Sequence, residues 1–288
     1  MTAFATIGLF SKDNDEKIKL ALKTLYHFFA QPSFQLYVDK TSAKFLDIEG
    51  IRAEAMVDKI DIAIVVGGDG TLLKIGRFLS EYHIPVIGIN LGRLGFLVDI
   101  SPEQIVTQLD AIFKGQYIKE SRSLLHASAY RGNTLLGEGC ALNDVVLHVR
   151  NDIRMIEFTT HIDGKFVNSQ RADGIVIATP TGSTAYSLSG GGPILHPELD
   201  AVVLVPICPH TLTNRPIVVS NTGIIEINLC ESRKVNSRLS FDGQANIALR
   251  AGDKIVIRQQ KHKLTLIHPE EYDYYRILRN KLGWSITL

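Results

Sequence analysis

Apolar residues recur along this chain with two different periods, and the change from one to the other falls near Gly115. Before it, uninterrupted apolar runs alternate with stretches of helical spacing. Phe4 to Phe10 reads as a first strand. Asp15 to Phe29 reads as an amphipathic helix with Ile18, Leu20, Leu22, Leu25 and Phe28 as its apolar positions. Gln35 to Val38 is a candidate second strand, and Ser42 to Val57 has poor periodicity with room for a helical turn or two. Ile62 to Val66, apolar and mostly β-branched, reads as a strand buried on both faces. Behind it Leu72, Leu73, Ile75, Gly76, Phe78 and Leu79 recur at helical spacing. Ile84 to Asn90 is another buried strand, followed by a glycine-rich loop, Leu91 to Phe96. Pro102 to Lys114 reads as a helix with Pro102 in its first turn. Strands alternating with helices imply a parallel sheet with right-handed crossovers.

After Gly115 helical periodicity nearly vanishes. Short apolar or alternating runs replace it: Leu124 to Tyr130, Leu142 to Val149, Ile156 to Ile162, Gly174 to Ala178, Val202 to Ile207, Ile217 to Val219, Ile224 to Leu229, Ile255 to Gln259 and Leu264 to Ile267. Arg131-Gly132-Asn133 and Asp163-Gly164-Lys165 are hairpin turns by composition. This pattern predicts a β-sandwich or similar layered all-β domain. Glu270 to Gly283 turns helical again, carrying Tyr272, Tyr275, Ile277 and Leu278 toward Trp284, and its aromatic face needs a surface to bury on. The expected fold is an α/β Rossmann-like domain over residues 1–116, a sandwich-like β domain over 117–268, and a tail over 269–288 that packs back on the first domain.

Composition narrows the function. At 288 residues and 45% apolar content the chain has material for two domains. Lys+Arg of 31 against Asp+Glu of 30 offers no electrostatic case for nucleic acid or an anionic membrane as main partner. Cys140, Cys208 and Cys230 form no zinc or disulfide pattern, which suits a reducing cytosol. The opening apolar run lacks a basic flank and leads into Lys12-Asp-Asn-Asp-Glu-Lys17, unlike a secretory signal, and no apolar run reaches membrane-spanning length. A cytoplasmic protein is expected.

The candidate chemistry sits at strand ends. Gly67, Gly68 and Gly70 surround one carboxylate, Asp69, with Thr71 placed to cap the following helix. Glycines allow positive φ and close approach of an anion, and a helix start favours phosphate. A carboxylate among such amides makes sense if it takes a proton from a hydroxyl under attack, or holds a metal ion beside phosphates. The plain alternative is an ordinary strand-to-helix turn. Lys74 lies one helical turn beyond Asp69. The second stretch runs from Asp173 to Pro193, with Thr181, Ser183, Thr184 and Ser187 crowded beside Tyr186. That hydroxyl density points to binding of sugar hydroxyls, adenine edges and phosphates, against the plain alternative of a Ser/Thr-rich turn capping a helix. Asn143-Asp144 offers one amide and one carboxylate, and Phe241-Asp242-Gly243-Gln244 reads most economically as a hairpin turn with Gln244 as a polar contact. Arg93, Arg154 and Arg171 are cations for a phosphorylated substrate, against a solvated-surface role for any one of them. The nine histidines show no zinc spacing.

Gly67-Gly-Asp-Gly-Thr71, Asn143-Asp144, Thr179-Pro-Thr-Gly-Ser-Thr-Ala-Tyr186 and Asp242-Gly-Gln244, in this order, resemble the bacterial NAD kinases over essentially the whole chain. Asp144 stands where many relatives have Glu, and Gly190 where Ala is frequent. The resemblance implies transfer of the γ-phosphoryl of ATP to the adenosine 2′-hydroxyl of NAD, with Mg²⁺ or a similar divalent ion, in a homodimer or homotetramer whose substrate lies between the domains. It implies Asp69 as proton acceptor, glycines that hold phosphates, and Lys74 neutralising them. Asn143, Asp144, Thr184, Ala185, Tyr186 and Ser189 would grip the NAD sugar or base, while Arg154, Arg171, Asp173 and Gln244 match further dinucleotide contacts. The rival readings are a lipid kinase or a phosphofructokinase-type sugar kinase sharing the glycine-Asp loop, and a non-catalytic dinucleotide sensor.

Overall fold

A computed structural model of the chain describes residues 4–12, 16–92, 95–150, 155–231 and 236–284. Arg93 and Arg154 lie outside the described residues. In chain order the elements are β1 (Thr6–Ser11), α1 (Glu16–Phe28), β2 (Gln35–Val38), α2 (Lys40–Leu46), β3 (Ile62–Val66), α3 (Asp69–Ser80), β4 (Val86–Ile89), α4 (Ile105–Phe113) and β5 (Tyr117–Arg122). Then come β6 (Leu125–Arg131), β7 (Thr134–Ala141), β8 (Asp144–Val149), β9 (Ile156–Ile162), β10 (Lys165–Ala172), β11 (Gly174–Ala178), α5 (Tyr186–Ser189), β12 (Ala201–Ile207) and β13 (Ile217–Ser220). The chain closes with β14 (Ile225–Leu229), β15 (Ser237–Phe241), β16 (Ala245–Leu249), β17 (Lys254–Gln259), β18 (Leu264–Pro269) and α6 (Tyr274–Leu282). Two compact units result, one from Met1–Ser121 with Leu264–Leu288, the other from Arg122–Lys263.

The first unit is an α/β layer. Its sheet runs β2-β1-β3-β4-β18-β5, with parallel pairing from β2 through β18. β3 is buried at every position, as a central parallel strand covered on both faces requires. Ile62, Ile64 and Val66 join Ile7, Leu9, Ile87 and Ile89 in a core that also takes Ile18, Leu22 and Leu25 of α1 and Leu109 and Ile112 of α4. Each fully buried Leu or Ile there is worth about 1.5–3 kcal/mol. Leu20 stands off this stripe, 70% exposed. Gly88, between Ile87 and Ile89, faces the other side of the sheet, where a Cβ would stand 2.9 Å from Leu72 of α3.

The return of the chain begins earlier than the expected residue 269. β18 pairs in parallel with β4 as an interior strand of the first sheet, so the apolar run from Leu264 belongs to that unit and not to the β domain. A buried polar stitch fixes it: His268 Nδ1 lies 2.9 Å from Asp99 Oδ2 and Nε2 lies 3.0 Å from Glu120 Oε2. Burial pushes this imidazole down, but the hydrogen bonds and charges of the two carboxylates outweigh it and hold His268 above its ordinary value. α6 starts at Tyr274 on an Asp273 cap and ends at Gly283 with φ 69°. It buries Tyr274, Ile277 and Leu278, whereas Tyr275 is 57% and Trp284 62% exposed. The buried aromatic is therefore the neighbour of the expected Tyr275.

The second unit is a β-sandwich. Its sheets run β10-β9-β14-β17-β6-β7 and β13-β12-β11-β8-β15-β16. Alternate residues of both sheets share one core, including Ala127, Phe158, Ile227 and Ile257 from the first and Leu147, Ile177, Leu204 and Leu239 from the second. Asp163 and Gly164 have φ 50° and 73°, the paired left-handed residues of a tight hairpin joining β9 to β10. β7, β10, β15 and β16 have no clear apolar run of their own; β7 and β10 become strands by hairpin pairing with β6 and β9, β15 by pairing with β8, and β16 by its hairpin with β15. Among the described residues no helix is long and apolar enough to cross a membrane.

Candidate active site

In the first unit β3 ends at Val66, Gly67 follows, and α3 begins at Asp69 with Gly68 as its cap. Thr71 is thus inside the helix, not its cap. Its side chain sits where a Cβ on Gly67 would be, 2.6 Å from Thr71 Oγ1, so Gly67 is required by close packing. None of Gly67, Gly68 and Gly70 has positive φ, contrary to the expectation. Gly68 and Gly70 have no atom within 4 Å of an added Cβ, so there is open space beside them at the helix start. The half-buried Asp69 accepts from the N–H of Phe96 and of Leu97, both at 3.0 Å, one on each carboxylate oxygen. Each oxygen keeps a further lone pair. These amides belong to the glycine-rich loop after β4. A Cβ on Gly95 would stand 2.2 Å from Asp69 Oδ1, so that glycine makes room for the acid. Lys74 is exposed on α3.

In the second unit β11 is buried throughout and runs into Pro180, a short 3₁₀ turn at Thr181–Thr184 and the four-residue α5. Three hydroxyls of this string serve the backbone. Thr179 Oγ1 donates to Leu142 O at 2.6 Å and accepts from Gly182 N–H at 3.1 Å. Ser183 Oγ donates to Pro180 O at 2.6 Å and accepts from Leu195 N–H at 2.9 Å. Thr184 Oγ1 donates to Thr181 O at 3.2 Å, and Arg122 Nη1 donates to the buried Thr181 Oγ1 at 3.2 Å. Ser187 is fully buried. Scaffolding therefore accounts for the hydroxyls of Thr179, Ser183 and Thr184, whereas the buried Ser187 Oγ has no hydrogen-bond partner among the described residues; a four-residue helix carries little dipole for an anion. Gly182 packs so closely on Asn143 that an added Cβ would stand 2.1 Å from its carbonyl oxygen.

This close fit gathers part of the expected site. Asn143, Asp144, Ala185 and Tyr186 line one cavity of about 410 Å³ with Val146, His148, Ser240, Asp242 and Gly243. Asp144, Val146 and His148 are alternate residues of β8 and so share a face of the sheet. Tyr186 is 49% exposed, presenting its ring at the surface. Asp144 is only 5% exposed, and burial, then the charge of Asp242, pushes its carboxyl up to about 7. Ser189 and Gln244 are exposed, Thr184, Arg171 and Asp173 half-buried, and none of the five lines this cavity. Arg171 Nε is buried without a hydrogen-bond partner among the described residues.

Models of two families match: the ATP-NAD kinase N-terminal domain over residues 7–117 and the ATP-NAD kinase C-terminal domain over residues 142–269. The chain is 46% identical over 285 residues to the NAD kinase of Alcanivorax borkumensis, covering 98% of this chain and 95% of that one. It is 45% identical over 294 residues to the NAD kinase of Cellvibrio japonicus, covering 99% and 98%. The chain belongs to the NAD kinase family. As a member it is a phosphotransferase, which displaces the lipid-kinase and sugar-kinase readings of the glycine loop. Its fold is similar to yeast NADH kinase complexed with NADH, with a TM-score of 0.87 at 25% identity over 99% of this chain and 89% of that one. It is also similar to an NAD kinase from Archaeoglobus fulgidus in complex with ATP, with a TM-score of 0.72 at 27% identity over 98% and 100%.

What sequence reasoning missed lies mainly in partners. The Phe96 and Leu97 amides, Gly95, Gly182 and Asp242 gained no role, although the Asp242-Gly243 turn was in view. Val146 and His148 had a readable signal in the two-residue period of their strand, whereas Ser240 lies on a strand with no clear apolar run of its own.

Proposed function

We propose that this chain transfers the γ-phosphoryl of ATP to the adenosine 2′-hydroxyl of NAD, giving NADP, with Asp69 as the general base. The 2′-oxygen forms a bond to the γ-phosphorus, the bond from that phosphorus to the ADP oxygen breaks, and the hydroxyl proton passes to Asp69. The observation that carries this reading is the Asp69 carboxylate itself, oriented by one backbone N–H per oxygen at 3.0 Å and left with lone pairs for a hydroxyl. Phosphoryl transfer asks mainly for positioning and charge neutralisation. The open space beside Gly68 and Gly70 takes the phosphates, and the Lys74 ammonium neutralises them. Asn143, Asp144, Ala185 and Tyr186 take the NAD sugar and base, supported by the cavity they share. Arg154, Arg171, Asp173, Thr184, Ser189 and Gln244 are assigned to the dinucleotide by family resemblance alone.

Among the described residues no three His, Cys, Asp or Glu side chains gather as a metal cage. Mg²⁺ is commonly held by phosphate oxygens, waters and one or two carboxylates. The loop, with its single acid, fits a divalent ion carried in on ATP, where the ion would neutralise charge on the phosphates and Asp69 is the carboxylate at hand. Cytoplasmic location and a homodimeric or homotetrameric state complete the reading.

The test is purified protein with ATP, Mg²⁺ and NAD, scored for NADP. Asp69→Asn should lower turnover by about two to four orders of magnitude, the usual worth of a general base, with an unchanged thermal melt. Near-normal turnover in that variant would refute the assignment, and no NADP from the wild type would favour a non-catalytic dinucleotide sensor.

A further inference from the structure

The Asp242 carboxylate holds three consecutive backbone amides. Its residue sits in the turn between β15 and β16, where Asp242 has φ 48° and Gly243 φ 66°. Oδ1 accepts from the N–H of Asn143 at 2.8 Å and of Asp144 at 3.2 Å, and Oδ2 accepts from the N–H of Leu142 at 3.1 Å. The turn also gives a bond, Asp242 N–H to Asp144 O at 3.0 Å. From the other side Thr179 donates its N–H to Asn143 O at 2.9 Å and its hydroxyl to Leu142 O at 2.6 Å. A hairpin alone asks for none of this. Asn-Gly satisfies such a turn as well as Asp-Gly, whereas three donors converging on one side chain call for two anionic oxygens.

We infer that Asp242 is a positioning residue for dinucleotide binding, gripping the 142–144 backbone so that Asn143 and Asp144 are set against the cavity they share with Tyr186. This rests on the assignment of Asn143 and Asp144 to NAD made above. Charge adds a second role. Asp144 is buried next to another acid, and after burial itself the charge of Asp242 is the further cause that pushes it up to about 7. Near neutral pH Asp144 is then partly protonated and offers a sugar diol both a donor and an acceptor. The other charged or titratable groups at this cavity are Tyr186, His148 and Arg238, whose Nε donates to His148 Nε2 at 2.8 Å. Burial and then the charge of Arg238 push His148 below its ordinary value.

Steady-state kinetics of the full chain, with NAD and ATP varied separately from about pH 5 to 9, tests this. Asp242→Asn keeps one acceptor oxygen and turns an NH₂ toward the third amide. It should raise the KM for NAD about tenfold or more while kcat and the KM for ATP change by less than about threefold. The inflection in kcat/KM for NAD at which Asp144 titrates should move to lower pH, because one of the two causes that raise Asp144 is gone. Asp242→Glu keeps the charge and should leave that inflection in place. A KM for NAD within about twofold of wild type in Asp242→Asn overturns the inference. Should Asp242→Asn fail to fold, Asp144→Asn decides: the inflection must vanish, and its persistence overturns the charge role. Wild-type protein that makes no NADP would refute the activity itself, whereas a normal KM in Asp242→Asn alongside NADP formation refutes only this role.

Discussion

The Gly67–Thr71 turn and the Thr179–Ser189 string both follow a strand buried along its whole length, yet they use their polar groups in opposite directions. In the first, the backbone serves a side chain: amides of Phe96 and Leu97 hold the Asp69 carboxylate. In the second, side chains serve the backbone, since Thr179, Ser183 and Thr184 spend their hydroxyls on carbonyls and amides of the local chain. A lone acid among glycines is therefore the stronger chemical signal, and a dense run of hydroxyls is first a device for shaping a strand-to-helix corner. What the corner shapes is the position of Asn143, Ala185 and Tyr186.

The sharpest way to test that contrast is through the two acids. Asp144 is buried and held up at about 7, above the carboxylate range of an unfolded chain. The folded state therefore binds more protons between about pH 4 and 7; the stability from this group is complete below about pH 4 and is lost as pH rises toward 7. At about 1.4 kcal/mol per pH unit the loss is at most about 4 kcal/mol. Urea unfolding of wild type and Asp144→Asn at acid and neutral pH should show a flatter pH dependence in the variant; equal slopes would contradict the placement of Asp144.

For the first unit the matching test is Gly95→Ala, which forces a methyl group to where Asp69 Oδ1 now lies, 2.2 Å away. If Asp69 is the proposed base, moving its carboxylate by about 1 Å to relieve that clash should cost about 100-fold in turnover, with the KM for NAD little changed. Unaltered kcat would show that the acid's position does not govern the rate.

The smallest effect should come from separating scaffold from surface within the string. Ser183→Ala removes the buried hydroxyl that donates to Pro180 O and accepts from Leu195 N–H, and should cost about 1–3 kcal/mol in unfolding free energy with an unchanged KM for NAD. Ser189→Ala, at an exposed position, should leave stability alone. If both variants were equally stable, the scaffolding role would be wrong.

Sequence alone determined the alternation of elements, the buried strand before Asp69, the sandwich that follows Gly115 and the family, because periodicity and motif strings are local properties. Only the tertiary structure decided that Leu264–Pro269 is an interior strand of the first sheet, since a short apolar run is equally at home in either core. It also decided which hydroxyls are consumed inside the fold, and that Asp242 reaches back about a hundred residues to the amides of Leu142, Asn143 and Asp144. The physical reason is the same in each case: what a polar group does is set by the partner that meets it, and these partners are distant along the chain.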